Sequence, residues 1–168
     1  MAELTYLDEL AEYPLRVLEK IASRQEVLDL VSGRRQTTQA ELKNENGSWK
    51  YFFDYPYPDG TVQEPAAYVT AEVEKLTRPT PTVKALRLTV TAACHRSALY
   101  LDPAVFPEFQ GNRLTNLLRH LDAALGRGRD FGLGRLELYD MQAGRQENEL
   151  FLYRRLRYDV KVLDRAGR

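Results

Sequence analysis

The sequence predicts a single α+β domain, residues 1–168, in which helices pack on one face of a mostly antiparallel four-stranded sheet. Two patterns carry this prediction. Five leucines within residues 112–126 recur at helical spacing, which is typical of an amphipathic helix. Apolar and polar residues alternate over residues 66–75 and 83–94, which indicates two half-buried strands. The whole order is helix, helix, strand, strand, helix, strand, strand.

The composition narrows the classes of protein to consider. Lys plus Arg equals Asp plus Glu, 24 each, so the net charge is zero, whereas proteins that act mainly on nucleic acid usually carry a basic excess. The single cysteine, Cys94, excludes an internal disulfide and fits a reducing compartment. No apolar stretch approaches the length of a membrane span, and the first residues do not resemble a signal peptide. We expect a soluble protein made in the cytoplasm.

The N-terminal third predicts two short helices and an irregular segment. Pro14 interrupts the first helical stretch, residues 5–22, so we expect its main helix to begin near Pro14. Ser23 and Glu26 have the spacing of a capping box for a second helix that Gly33 ends. We interpret both helices as packing elements.

The polar segment that follows, residues 34–50, predicts a long loop or a mobile arm. The aromatic run at residues 49–57 has two interpretations. It could be a stacking platform for single-stranded nucleic acid. Lys50 is the only positive charge within it and Asp54 opposes that charge, so core packing or a protein interface is the better interpretation.

The remaining strands are predicted from alternation and turn residues. Arg78 to Pro81 should be the turn after the strand at 66–75, because proline cannot donate to a strand ladder. On the strand at 83–94, Lys84 and the residues that alternate with the apolar set should lean outward. Further strands are predicted at 133–140 and 149–163. We expect a polar turn between these two, at residues 143–148, and a bulge near Arg154 and Arg155.

The connection after the leucine helix is rich in glycine. Gly126 lies where a left-handed residue commonly ends a helix, and Gly128, Gly132 and Gly134 follow within a few positions. We expect at least one of these glycines to have a positive φ. Phe131 is the large apolar residue among them, and we expect it to pack under the helix end.

No catalytic or metal-binding pattern is visible. His95 and His120 lack a partner at ligand spacing, and Cys94 and His95 are neighbours on a strand whose side chains point to opposite faces. The glycines at 126–134 lie between a helix and a strand, whereas phosphate-binding loops run from a strand into a helix. We therefore predict no cofactor, no metal and no enzyme.

The leucine helix, the turn Gly-Arg-Asp-Phe-Gly-Leu-Gly and the strand Arg-Leu-Glu-Leu resemble phage neck and tail-completion proteins, the tail-terminator-like group also found in prophages and phage-tail-derived particles. The resemblance is specific over residues 113–138 and extends more weakly to the N-terminal helix pair, to residues 53–57 and 68–73, and to the strand at 83–95. It implies a non-enzymatic virion protein, made in the bacterial cytoplasm. Such proteins form a ring, often of six subunits, that caps the tail tube, with tube or sheath protein and head connector as partners.

One sheet face deserves functional interpretation if such a ring forms. Five arginines fall on the predicted strands or at their ends: Arg87, Arg135, Arg154, Arg155 and Arg157. In a ring they could line the channel and contact DNA without reading bases. The alternative is a solvated face with ordinary ion pairs. A different class of function also stays open, a small nucleic-acid-binding module that uses the aromatic run at 49–57 and the basic strand at 154–157.

Overall fold

The structure, a computed structural model, describes residues 6–56, 62, 64, 66–80, 83–126, 135–145 and 150–163. Its main elements, in chain order, are α1 (Tyr6–Ala22), α2 (Gln25–Ser32), β1 (Phe52–Phe53), β2 (Ala67–Thr80), β3 (Val83–His95), α3 (Arg113–Leu125), β4 (Leu136–Arg145) and β5 (Phe151–Leu163). The strands form one sheet in the order β1-β2-β3-β5-β4. No helix among the described residues is both long enough and apolar enough to cross a membrane.

The predicted α+β class is confirmed, but the strand count of four is wrong. The four long strands pair antiparallel, β2 with β3, β3 with β5, and β5 with β4. A fifth strand, β1, pairs parallel to β2 through Phe52 opposite Val69 and Phe53 opposite Thr70. Two residues are too few to show an alternation, and this strand was hidden inside the aromatic run.

The helices pack on one face of the sheet, and together they form one continuous hydrophobic core. Side chains of α1, α2 and α3 pack with alternate residues of β2, β3 and β5, such as Val69, Leu88 and Tyr158. The leucine helix is confirmed as α3, and the side chain of Asn112 caps it by accepting a hydrogen bond from the Thr115 amide at 2.8 Å.

Two expectations about the N-terminal helices are wrong. Helix α1 continues through Pro14 instead of starting there. Pro14 is buried, and the apolar side of α1 packs into the core, which offsets the hydrogen bond that proline cannot make. Ser23 does not cap α2, because its hydroxyl donates back to the Lys20 carbonyl. Gly33 does end α2, with a left-handed φ of 72°.

The segment at 34–50 is largely irregular and is attached to the core at several points. The Thr37 amide donates to the buried Asp29 carboxylate at 2.9 Å, and the Gln39 side chain donates to the Ala22 carbonyl at 2.9 Å. A short 3₁₀ helix, Ala40–Leu42, places Leu42 in the main core.

The predicted strand ends and bulge need correction. Strand β2 runs through Pro79 to Thr80, because Pro79 falls in an irregular step of the ladder, between the pairs that Thr77 and Thr80 form with β3, where its missing N–H interrupts neither pair. Strand β4 continues to Arg145, beyond the expected start of the turn. The bulge lies in β4, between Leu138 and Asp140, and β5 pairs with β3 without interruption. The apolar alternation of β5 is therefore interrupted at Arg154 because this polar residue lies on the helix side of the sheet, and not because the strand bulges there.

Two further residues differ from expectation. Lys84 is buried, since it shares the helix-side parity of Leu86. Gly126 ends α3 with φ −84°, not in the left-handed region, and a Cβ on it would come within 2.9 Å of the Asp122 carbonyl oxygen. Close approach of the backbone thus accounts for this glycine. Gly128, Phe131, Gly132 and Gly134 lie outside the described residues.

Candidate functional site

The sheet face opposite the helices, here the open face, is the main candidate for a functional surface. No helix among the described elements covers it, and it carries the strand positions that alternate with the core. Its positions follow from the register: Tyr68, Thr70 and Glu72 on β2 lie opposite Ala93, Thr91 and Thr89 on β3, and those lie opposite Tyr153, Arg155 and Arg157 on β5.

An aromatic cluster occupies one end of the open face. Phe53, Tyr68 and Phe151 are buried against one another, with ring centroids 5.4–6.0 Å apart, and they form a second small core with Ala93. The ring of His95 packs edge-on against Phe151 at 5.2 Å. Rings packed in this way have their faces occupied and are not free to stack on bases.

The predicted aromatic run is therefore mostly a packing element. Phe52 enters the main core and Phe53 the smaller one, while Trp49 and Tyr51 are half-buried. Of the run's described aromatic residues, Tyr55 is the exposed one. Lys50 and Glu64 share with Tyr51 and Phe53 the lining of a shallow cleft of about 260 Å³. Burial raises the pKa of the Tyr51 hydroxyl, and the nearby Glu64 adds to that effect.

Ion pairs occupy the other end of the open face. Arg157 lies between two carboxylates, with its Nε 3.2 Å from Glu74 Oε2 and its Nη1 3.3 Å from Asp140 Oδ2. The Thr89 hydroxyl donates to the same Glu74 oxygen at 2.8 Å. Because four strands contribute to this group, it links β2, β3, β5 and β4 across the face.

Arg87 and Arg155 also belong to the open face. Arg87 Nε donates to Asp159 Oδ1 at 3.1 Å, and its guanidinium lies over the Tyr139 ring, 4.3 Å from the centroid. The hydrogen bond to Asp159 raises the pKa of the Arg87 guanidinium above its usual value. Arg155 approaches the Thr91 hydroxyl at 3.4 Å.

The five predicted arginines do not form one set. Arg87, Arg155 and Arg157 share the open face, whereas Arg154 has the opposite parity and lies in register with Ala92 and Ala143 on the helix side. Arg135 is exposed and precedes β4. The proposed basic strand at 154–157 is thus divided between two faces, which weakens the case for a nucleic-acid-binding module built on it.

The other residues considered for catalysis or metal binding, Cys94 and His120, are packed against neighbouring side chains. Cys94 is buried in the main core, and burial raises the pKa of its thiol. Desolvation lowers the pKa of His120, whose ring packs edge-on against Phe109. The part of the chain that the structure describes holds no group of His, Cys, Asp and Glu suited to a metal ion.

Sequence reasoning missed a buried cation, Arg113. Its side chain is 4% exposed, and its guanidinium donates to the carbonyls of Leu30, Val31 and Ala98. Two of these carbonyls belong to the last turn of α2, where no following helical turn supplies an N–H donor to them. The signal available in the sequence was an arginine at the start of an apolar helix, which is not distinctive.

Within the part of the chain that the structure describes, these observations define a two-layer α+β fold whose helices cover one face of the sheet. A family model described as YomW matches residues 21–160, which is well over half of the chain, and the chain therefore belongs to the YomW family. No curated protein matches the sequence.

One solved structure shares the fold over nearly the whole chain. It is a chain of the "Virion of native gene transfer agent (GTA) particle", with a TM-score of 0.51 and 15% sequence identity. The match covers 95% of this chain and 100% of that chain. At this identity the likeness shows the fold alone.

Proposed function

We propose that this protein is a structural subunit of a phage or phage-derived virion, and more particularly a tail-terminator or neck subunit. In this role it forms a ring that caps the tail tube and joins it to the head connector. Its partners are other copies of itself, tube or sheath protein and connector protein. Such a ring requires heterologous contacts, in which one patch of a subunit meets a different patch of its neighbour.

The observation that carries the proposal is the end-to-end likeness to a virion chain. The match covers the whole of that virion chain, so the two folds correspond from end to end. The sequence resemblance at residues 113–138, found independently, points to the same class of particle. A domain that works through protein contacts also needs no catalytic constellation.

Electrostatics bear on what the open face does in such a ring. Arg87 and Arg157 are already paired with carboxylates, and Glu137 lies exposed beside Asp159. A face balanced in this way would attract DNA weakly. We propose that it permits passage of DNA with transient, sequence-independent contact.

The direct test uses particles from the native host. Deleting the gene should leave heads and tails that are complete but not joined, and a plasmid copy should restore whole particles. The chain should appear in purified particles at the stoichiometry of one ring. Particles that assemble normally without the gene, or that never contain the chain, would refute the proposal.

A binding assay tests the nucleic-acid alternative separately. Phosphate contacts are strongest at low salt, and their affinity falls steeply as salt rises. We expect the purified chain to retain neither duplex nor single-stranded DNA at about 50 mM salt, in that favourable range. Tight binding that disappears as salt is raised would favour the nucleic-acid-binding module instead.

A further inference from the structure

The outer edge of β4 is an unpaired strand edge with exposed apolar side chains. Within the described chain, β4 pairs only with β5. Leu138, Tyr139 and Met141 are 45%, 44% and 54% exposed, three of the large apolar residues that the described fold leaves most accessible. An exposed strand edge offers a row of unpaired N–H and C=O groups to another strand, and apolar side chains beside it favour that pairing.

The opposite side of the sheet has a second open edge at the same level. Strand β1 covers β2 only at Val69 and Thr70, so β2 has no described neighbour on that side from Ala71 onward. Residues 71–76 of β2 pair with residues 86–90 of β3. Residues 136–141 of β4 lie level with those same β3 residues, because both sets are in register with residues 156–160 of β5.

The strand directions make these two edges complementary. Since β2, β3, β5 and β4 alternate in direction, β2 and β4 run antiparallel to each other. A second copy rotated about an axis along the strands would bring its β2 edge to the β4 edge of the first copy. The new pair would be antiparallel, like the pairs among the four long strands within each sheet.

We propose that residues 136–141 of β4 in one subunit pair with residues 71–76 of β2 in the next subunit, joining neighbouring sheets head to tail. The pairing ends before Pro79, which has no N–H to donate. Leu138 and Met141 lie on the helix side of β4, where α3 packs on β5 and no described helix covers them. In the neighbour, α1 packs over β2 and exposes Leu15.

This arrangement commits the contact to a second copy of the chain. The neighbour's α1 covers Leu138 and Met141, and Leu15 supplies the apolar counterpart. A two-fold β4–β4 dimer would also be antiparallel, but it would leave the β2 edges open and could not close into a ring. The inference rests on the proposed ring and specifies which surfaces meet within it.

Cross-linking between two singly substituted proteins distinguishes the two arrangements. Leu15→Cys and Leu138→Cys proteins are mixed at high concentration and treated with a short bismaleimide. Buried Cys94 makes the parent chain a control for background reaction. We expect the mixed dimer in excess over either homodimer. A Leu138→Cys homodimer that dominates would overturn the proposal in favour of the two-fold contact, and no cross-link above background would overturn it as well.

A charge placed on the edge tests the same contact in solution and in the particle. Met141→Lys should weaken self-association measured by sedimentation at least about tenfold. Val105→Lys is the matched control, since Val105 is 42% exposed in the loop before α3 and away from both edges. If the chain is present in particles but Met141→Lys assembles like the control, the edge contact is wrong and the proposed function stands. If the chain is absent from particles, the proposed function fails regardless of the cross-links.

Discussion

Replacing Arg113 should expose the largest single polar contribution to stability in the described fold. Its guanidinium is buried, lies at the C-terminal end of α2 and donates to three backbone carbonyls, with distances of 2.7 Å to Val31 O and 3.3 Å to Ala98 O. None of these three partners is a carboxylate. The cation is instead stabilised by the carbonyls and by the negative end of the α2 dipole.

The magnitude follows from two opposing effects. Hydrogen bonds from a charged donor contribute roughly 1.5–3 kcal/mol each, and a buried carbonyl left without a donor costs about 1–3 kcal/mol. Against this, burial of the guanidinium is unfavourable, which is also why the pKa of Arg113 is lowered. Methionine removes the desolvation cost and fills part of the volume. We therefore expect Arg113→Met to lose about 2–4 kcal/mol, well below the sum of the bonds.

Urea unfolding measures this loss of stability as a lower urea concentration at the midpoint of unfolding. The slope of the unfolding free energy against urea concentration should stay the same. Arg119→Met is the matched control, because Arg119 lies on the same helix and is exposed. The control should change stability by less than about 0.5 kcal/mol. Arg113→Lys should fall between the two, since a lysine ammonium keeps the charge but cannot reproduce the planar fork. An Arg113→Met protein as stable as the control would refute the reasoning.

Four other substitutions test three separate parts of the fold, each by urea unfolding. Tyr158→Phe removes the 3.0 Å bond to Asp122 and should lose about 1.5 kcal/mol, and an unchanged midpoint would contradict this. Gly33→Ala and Gly47→Ala both place a side chain at positive φ, but Gly33 should cost more because its Cβ would meet the Arg113 guanidinium at 3.3 Å, whereas nothing lies within 4 Å at Gly47; equal losses would exclude that contact. Desolvation raises the pKa of Glu72 above its ordinary 4.5, so the folded state binds this proton more tightly and loses the associated stability as pH rises through the folded pKa. The free energy of unfolding of Glu72→Gln, relative to that of the parent, should therefore be higher at pH 7 than at pH 4. A stability difference that does not change with pH would contradict this prediction.

The sequence was most informative where one residue type repeated along one element. The leucines of α3 predicted that helix and its buried side, and Asn112 predicted its cap, because both signals are local. Gly33 predicted the end of α2 for the same reason. Alternation likewise predicted the central strands β2 and β3.

Expectations failed where tertiary contacts outweigh local preference. Pro14 remains within α1 since the apolar side of that helix packs against the sheet and other helices. The two-residue strand β1 exists only because β2 offers it an edge. The division of Arg154 from Arg155 and Arg157 depends on strand parity, which the interrupted pattern of β5 concealed. None of these outcomes can be read from a single window of sequence.

Among the described residues, the open face and the β4 edge differ in how much apolar surface they expose. Near β1 the open face is closed by its own aromatic rings, Phe53, Tyr68 and Phe151, so little apolar area reaches solvent there. Farther along, Arg157 and Glu74 neutralise each other across neighbouring strands. The described part of the open face therefore exposes little apolar surface near β1, whereas β4 has no described strand on its outer edge and exposes Leu138 and Met141. This contrast favours the sheet edges over the open face as the place of the proposed subunit contact, and it is compatible with the proposal that the open face borders a channel.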